Sequence, residues 1–435
     1  MQKKQKGLVW FRNDLRVNDN ESLTNAIDEN DTVIAVYCFD PRHFEQTRFG
    51  FKKTEKFRAK FLIESVTALK QNLEKLNIPL LVYHQKTEDS IPEIIAHNEI
   101  NSVYFQKEWT SEEMEVLENI KSKVPDSVAF KATYNQFLFH PDTIPFAIEK
   151  IPNVFTQFRN QCEKSTKVRP EFTAQPLSKE NWTTNKTVIP TMETLGFSDF
   201  EIDSRTAFPF CGGENEALQR LEHYFWKTKK LSVYKLTRNG LIGTDFSSKF
   251  SPWLANGSIS AKTIYWEIVR YEQQIRKNDS TYWLIFELIW RDYFKYVSMK
   301  NGNSIFKIGG ILDKKYDWKT NPSDINNWIN GNTQEPFVNA NMIELQQTGW
   351  MSNRGRQNVA SFFAKNLLLD WRIGAAYFEA MLIDYDVHSN YGNWMYVSGV
   401  GNDPRDRKFN IKLQAENYDG QSKFQKLWMQ QQLLF

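Results

Sequence analysis

The sequence predicts an α/β half followed by an all-α half: a doubly wound parallel sheet, a long linker, then a helical domain. Three observations carry this. Over the first 133 residues, short apolar runs alternate with stretches of helical period, the pattern of strands joined by crossover helices. From Tyr134 to Cys211 both periods fade, and Pro, Thr, Ser and Asn accumulate. After Gly212-Gly213 only helical periods recur. A chain of 435 residues exceeds what one core usually fills, so two domains are expected, at 1–133 and 212–435, around a linker at 134–211 that wraps the surface.

In order, Gly7–Phe11 (GLVWF) reads as a buried strand, followed by the charged loop RNDLRVNDN and a helix starting near Asn20. Thr32–Phe39 is a second strand. Lys56–Leu76 carries Phe57, Phe61, Leu69, Leu73 and Leu76 at helical spacing. Leu80–Tyr83, Ser102–Gln106 and Val128–Phe130 supply three more strands. Ser90–Glu93 and Thr110–Glu113 fit the capping-box pattern at helix starts. No GxGxxG follows the first strand, so a conventional NAD site is not expected. That loop offers Arg12, Asn13, Asp14 and Arg16 instead. Glu108, after the fourth strand, is either a solvated charge or a ligand contact.

Composition narrows the function classes. Aromatics reach 14%, which suits a ring-built core or a site that stacks on planar ligands. A net charge of +3 confines any nucleic-acid surface to a local patch. The three cysteines are scattered and fit neither a metal site nor a disulfide framework, which points to a reducing compartment. The polar start Met1–Lys6 and the lack of a membrane-length apolar run predict a cytoplasmic protein without a targeting segment.

The helical half concentrates the chemistry. In TDFSSKFS, the hydroxyls of Ser247, Ser248 and Ser251 with Lys249 form either a pyrophosphate cradle or a Ser-rich helix cap. Tyr234 and Arg238 lie upstream, spaced by four. In TYWLIFELIWRDYF, Glu287, Trp290 and Arg291 share one face of a buried helix. Their charges need partners, either each other or a polar ligand. In GWMSNRGRQNVASFF, Arg356 is placed to pair with Asp384 and Arg354 to reach phosphate. In LIDYDVHSNYGNWMY, Asp386, Asn390 and Trp394 recur every four residues, so they address one ligand or merely cap and pack a helix end.

Taken together, WFRNDLR, TRNGLIGTDFSSKFSPWLANGSIS, STYWLIFELIWRDYF, MSNRGRQNVASFF and LIDYDVHSNYGNWMYVSGVGNDPR resemble the photolyase/cryptochrome family, most closely its cryptochrome DASH branch. The match covers nearly the whole chain. It implies FAD, folded into a U, in the helical domain. Tyr234, Ser247, Ser248, Lys249, Phe250 and Ser251 would hold its phosphates and ribityl region, and Arg291 its adenine side. The Arg356/Asp384 pair would lie beside the isoalloxazine, with Asp386 and Asn390 at its edge and Asn353 bordering both cofactor and substrate. Trp394, Trp371 and Trp318 match the family's electron relay. Glu287, Trp290, Arg238, Asn353, Arg354, Gln357 and Tyr396 match its substrate pocket. Glu108 matches the contact to a methenyltetrahydrofolate antenna.

The activity implied is light-driven repair of cyclobutane pyrimidine dimers by a monomer, with preference for single-stranded DNA. The alternative is a blue-light photoreceptor. Asn353 and Gln357 stand where the branch that repairs six-four photoproducts carries two histidines, and three cysteines are too few for an iron–sulfur photolyase. Asn390, where plant-type sensors carry Asp, and an end at Phe435 soon after the last motif argue against a signalling protein.

Overall fold

The computed structural model describes residues 5–183 and 185–430; most of the polar start expected at Met1–Lys6 lies outside them. The apolar runs form a five-stranded, all-parallel sheet of order β3-β2-β1-β4-β5. Its strands are β1 (Lys6–Trp10), β2 (Thr32–Cys38), β3 (Leu80–Tyr83), β4 (Ser102–Gln106) and β5 (Ala129–Thr133). Helices α1 (Glu21–Glu29) and α2 (Lys56–Lys75) cover one face, burying Leu23, Ala26, Leu69 and Leu73 with Val9 and Val33. Helices α3 (Thr87–Asn98) and α4 (Ser111–Lys121) cover the other, with Ile91, Ile95, Leu117 and Ile120 against Leu8 and Val103. Apolar side chains on both faces are what a parallel sheet requires, and the doubly wound expectation is met.

The local deviations have reasons. Asn20 caps α1 as expected, accepting the Leu23 N–H at 3.0 Å. Helix α3 starts three residues before Ser90, whose hydroxyl bonds back to Lys86 and Gln85 inside the helix. Glu88 and Asp89 then sit in the first turn, where the helix dipole favours carboxylates. Thr110 occupies the cap of α4 but its hydroxyl caps nothing.

Residues 134–168 enter the fold, while 171–206 are irregular and largely at the surface, as a linker would be. The former contain a helix, α5 (Phe155–Ser165), and send Phe137, Leu138, Phe139, Phe155 and Phe158 into the largest core. The Leu138 and Phe139 N–H groups donate to Asp292 at 3.1 and 2.8 Å. Asp292 is fully buried, and burial pushes its carboxyl up to about 7. In the first loop, Arg12 is half-buried and Asn13 exposed, while Asp14 and Arg16 are buried. Arg16 is 2% exposed and donates to the Gly257 carbonyl at 2.9 Å, fastening the sheet to the helices. Gly257 has φ +73° and a Cβ there would stand 2.0 Å from the Asn13 carbonyl, so the close approach needs glycine.

The helical half comprises α6 (Glu214–Glu222), α7 (Tyr234–Thr237), α8 (Ser251–Ala255), α9 (Ala261–Gln274), α10 (Asp279–Asn301), α11 (Pro322–Ile329), α12 (Pro336–Thr348), α13 (Asn353–Ser361), α14 (Trp371–Met381), α15 (Val387–Ser398), α16 (Ile411–Asp419) and α17 (Lys423–Met429). Long α10 is fixed by an Asn278/Thr281 capping box and lines one core, while α12 to α17 close a second around Trp328, Trp371 and Trp394. Among the described residues no helix is long and apolar enough to cross a membrane.

Candidate functional site

Helix α10 aims Glu287, Trp290 and Arg291 as their spacing requires, but not at one another. Glu287 pairs with Arg238 at the end of α7. Arg291 instead donates to the Gln136 and Leu254 carbonyls at 2.6 and 3.0 Å, so the internal Glu287/Arg291 pair does not form. Burial pushes the Glu287 carboxyl up, and Arg238 opposes that. Trp290 stacks face to face on Phe155 at 3.6 Å and meets Tyr396 edge-on at 6.1 Å. The Tyr396 hydroxyl accepts from Arg407 at 2.7 Å. At the start of α13, Asn353 is exposed. Arg354 lies over Tyr418 and donates to Gln357 at 2.9 Å and Asn239 at 3.2 Å.

The Ser-rich stretch is a loop held from behind. Arg220 of α6 donates to the Thr244, Ser247 and Ser248 carbonyls and pairs with Asp245 at 2.7 Å. The hydroxyls of Ser247, Ser248 and Ser251 have no partner among the described residues, so the cap reading fails there. Lys249 has φ +63° and is 3% exposed, with Nζ against the rings of Phe246 and Trp350 and no hydrogen-bond acceptor. Burial holds its ammonium well below the usual lysine range. Glu344 is also buried, and burial pushes its carboxyl up to about 8. Phe250 and Tyr234 are buried alongside. A buried amino group without an acceptor, beside free hydroxyls, offers donors to an anionic phosphate group, whose charge would also favour the ammonium form.

Across the site, Arg356 donates to both Asp384 oxygens at 2.8 and 3.0 Å, as the sequence expected. The spacing by four behaves differently along the next segment. Asp386 caps α15 by accepting the Ser389 N–H and pairs with Lys295 of α10, both at 2.8 Å. Asn390 and Trp394 are inside the helix; the Asn390 amide donates to the Ala375 carbonyl at 3.0 Å.

The three tryptophans expected to form a relay lie on neighbouring segments. The Trp394 indole packs on Gly374, one turn along α14 from Trp371, and a Cβ at Gly374 would stand 2.3 Å from it. Backbone bonds between Lys319 and residues Leu368 and Asp370 bring Trp318 alongside the start of α14. Glu108 is 7% exposed, so it is not a solvated charge; it accepts from Gln106 at 2.8 Å. Next to it, Trp109 stacks on His388 at 4.5 Å, and both bond to Ser298.

Sequence reasoning missed Arg220, Lys295, Glu344 and Phe155. Lys295 was findable as a charge one turn beyond Arg291 in an apolar helix. Phe155 carries no signal, because only the path of residues 134–211 brings it to Trp290.

Comparison with known proteins identifies the family. Residues 7–178 match the family model described as DNA photolyase, and residues 283–432 match the FAD binding domain of DNA photolyase. The chain therefore belongs to the photolyase/cryptochrome family and carries its FAD-binding domain. Within it, the chain falls in the cryptochrome DASH branch. It is 47% identical to the Gloeobacter violaceus cryptochrome DASH, over 97% of this chain and 85% of that one. It is 47% identical to the Danio rerio protein, over 97% and 82%. The crystal structure of a Synechocystis cryptochrome superimposes with a TM-score of 0.94 at 46% identity, covering 99% of this chain and 90% of that one. An archaeal photolyase from Sulfolobus tokodaii, solved with two FAD molecules, gives 0.78 at 27%, covering 98% and 90%.

Proposed function

We propose that the chain is a light-driven lyase that reopens cyclobutane pyrimidine dimers, acting as a monomer and preferring single-stranded DNA. FAD bound in the helical domain would supply, in its reduced form, the light-driven electron donor the chemistry needs. The chain binds and orients. Lys249 with the hydroxyls of Ser247, Ser248 and Ser251 takes the pyrophosphate, and Tyr234 and Phe250 wall it in. Arg291 fixes the backbone on the adenine side. The Arg356/Asp384 pair, Asp386 and Asn390 line the ring edge.

The observation that carries the reading is the Glu287–Arg238 pair beside Trp290. A carboxyl pushed up by burial yet held by a guanidinium offers fixed hydrogen bonding to a base edge, and Trp290 offers an aromatic surface, as a flipped lesion requires. Asn353, Arg354, Gln357 and Tyr396 form the rim. Flipping costs least where pairing is already lost, which favours single strands. Buried Glu108 is the proposed contact to a methenyltetrahydrofolate antenna, testable by identifying the chromophores that copurify.

The test is illumination of chemically reduced protein with dimer-containing oligo-dT, single-stranded and in duplex. Restoration of thymines in light and not in darkness is expected, faster for the single strand, and lost in Glu287→Ala. Equal light and dark signals overturn the reading. A blue-light photoreceptor is the second reading, because Phe155 already covers one face of Trp290. A light response of the cofactor without repair selects it.

A further inference from the structure

We propose that Tyr316 is the terminal electron donor of the tryptophan relay and passes its phenolic proton to Asp406 as it is oxidised. This rests on the electron relay that the family resemblance implies for Trp394, Trp371 and Trp318.

An indole radical cation is stabilised as a trapped hole only if its N–H proton can leave. None of the three has a base. The Trp394 and Trp318 Nε1 groups are buried without an acceptor among the described residues. Trp371 Nε1 donates to the Ile308 carbonyl at 2.9 Å, which accepts a hydrogen bond but not a proton at neutral pH. The hole therefore stays mobile until it meets a group that can be deprotonated.

Tyr316 is such a group. Its ring centroid lies 5.2 Å from that of Trp318, at 52°. Its hydroxyl donates to Asp406 Oδ2 at 3.1 Å, with the Gly399 carbonyl at 3.4 Å. Lys365 holds the other Asp406 oxygen and lies 4.9 Å from the Tyr316 ring. Partial burial works against the Asp406 charge, but Lys365 and Tyr316 outweigh it and keep the carboxyl below its usual range, so an ionised acceptor is present at neutral pH. The Asp406 side chain is 43% exposed, so a proton received there exchanges with water.

The step balances. The Trp318 radical cation, formed by the relay when light excites the oxidised flavin, takes one electron from Tyr316. The phenolic O–H bond breaks and the proton forms a bond to Asp406 Oδ2. The products are neutral Trp318, a neutral tyrosyl radical and a protonated Asp406, which releases its proton to solvent. A thiol in solution, by giving up a hydrogen atom, restores the phenol.

The experiment is flash excitation of the anaerobic holoprotein with oxidised cofactor, with the radicals identified by electron paramagnetic resonance and transient absorption. Tyr316→Phe keeps the ring, and Asp406→Asn keeps an acceptor oxygen without a base. The expected wild-type signal is a neutral tyrosyl, lost in both variants and replaced by a tryptophan radical that recombines faster. A tyrosyl that survives in Tyr316→Phe belongs to another phenol, foremost Tyr391 beside Trp371, and overturns the assignment. One that survives in Asp406→Asn overturns the proton transfer. A tryptophan radical without any tyrosyl in wild type refutes the proposal and leaves the relay standing. No radical of either kind refutes the relay and the proposal together. Circular dichroism of each variant checks that the fold is intact.

Discussion

Replacing Asp384 by Ala removes one side of an ion pair that the fold encloses. The Asp384 side chain is 2% exposed and that of Arg356 25%. Without the carboxylate, Arg356 keeps one bond, from Nε to the Met351 carbonyl at 2.9 Å. Stranding one member of a buried pair costs about 3–5 kcal/mol; the partial exposure of Arg356 places this one near about 3 kcal/mol. Entropies of unfolding of roughly 2 cal/mol/K per residue turn that into a fall in Tm of about 3 °C if all 435 residues melt together, or about 6 °C if the helical half melts alone. The assay is thermal unfolding of the cofactor-free protein, so that lost FAD does not contribute. Removing both charges, as Arg356→Met with Asp384→Leu, leaves no stranded guanidinium and should be less destabilising than Asp384→Ala alone. A single variant as stable as wild type, or a double variant showing the plain sum of the two single losses, would falsify the reasoning. In parallel, Asp384→Ala should retain less FAD through gel filtration.

Asn390→Asp replaces an amide that donates to the buried Ala375 carbonyl with a carboxylate that only accepts; about 1–3 kcal/mol of stability should be lost, and the species that accumulates under blue light should change. Unaltered spectra and Tm would exclude Asn390 from the site. Trp371→Phe should fold and bind FAD yet fail to photoreduce it, while chemically reduced protein still repairs dimers. Normal photoreduction would remove Trp371 from the relay. Burial alone pushes the Asp386 carboxyl up, but Lys295 and Arg291 pull harder and it ends well below its usual range. Its folded pKa is depressed, so its contribution to stability is present above the unfolded value near ~4 and is lost as pH falls further. Asp386→Asn keeps the cap but strands Lys295, so it should be destabilised at pH ~7 and converge with wild type on acidification; a constant difference would refute the assignment.

The sheet was legible because a parallel strand buried on both faces must be apolar throughout. Leu80–Tyr83 and Ser102–Gln106 could therefore be bounded to the residue, whereas β5, largely exposed, was read too early and too short. The Arg356/Asp384 pair was foreseen because two opposite charges in apolar segments have few other ways to be satisfied. The partners of Glu287 and Arg291 stayed open between each other and a polar ligand, since a helix fixes which residues share a face but not which backbone carbonyls or neighbouring side chains arrive first. Residues 134–211 lack any period, so composition made them a surface linker; the fold draws their phenylalanines into the core and sets Phe155 on Trp290. Residue types and their local periods are properties of the chain alone. Which buried charge meets which partner, and which aromatic rings come within reach, depends on contacts between segments distant in the chain, and only the tertiary structure decides those.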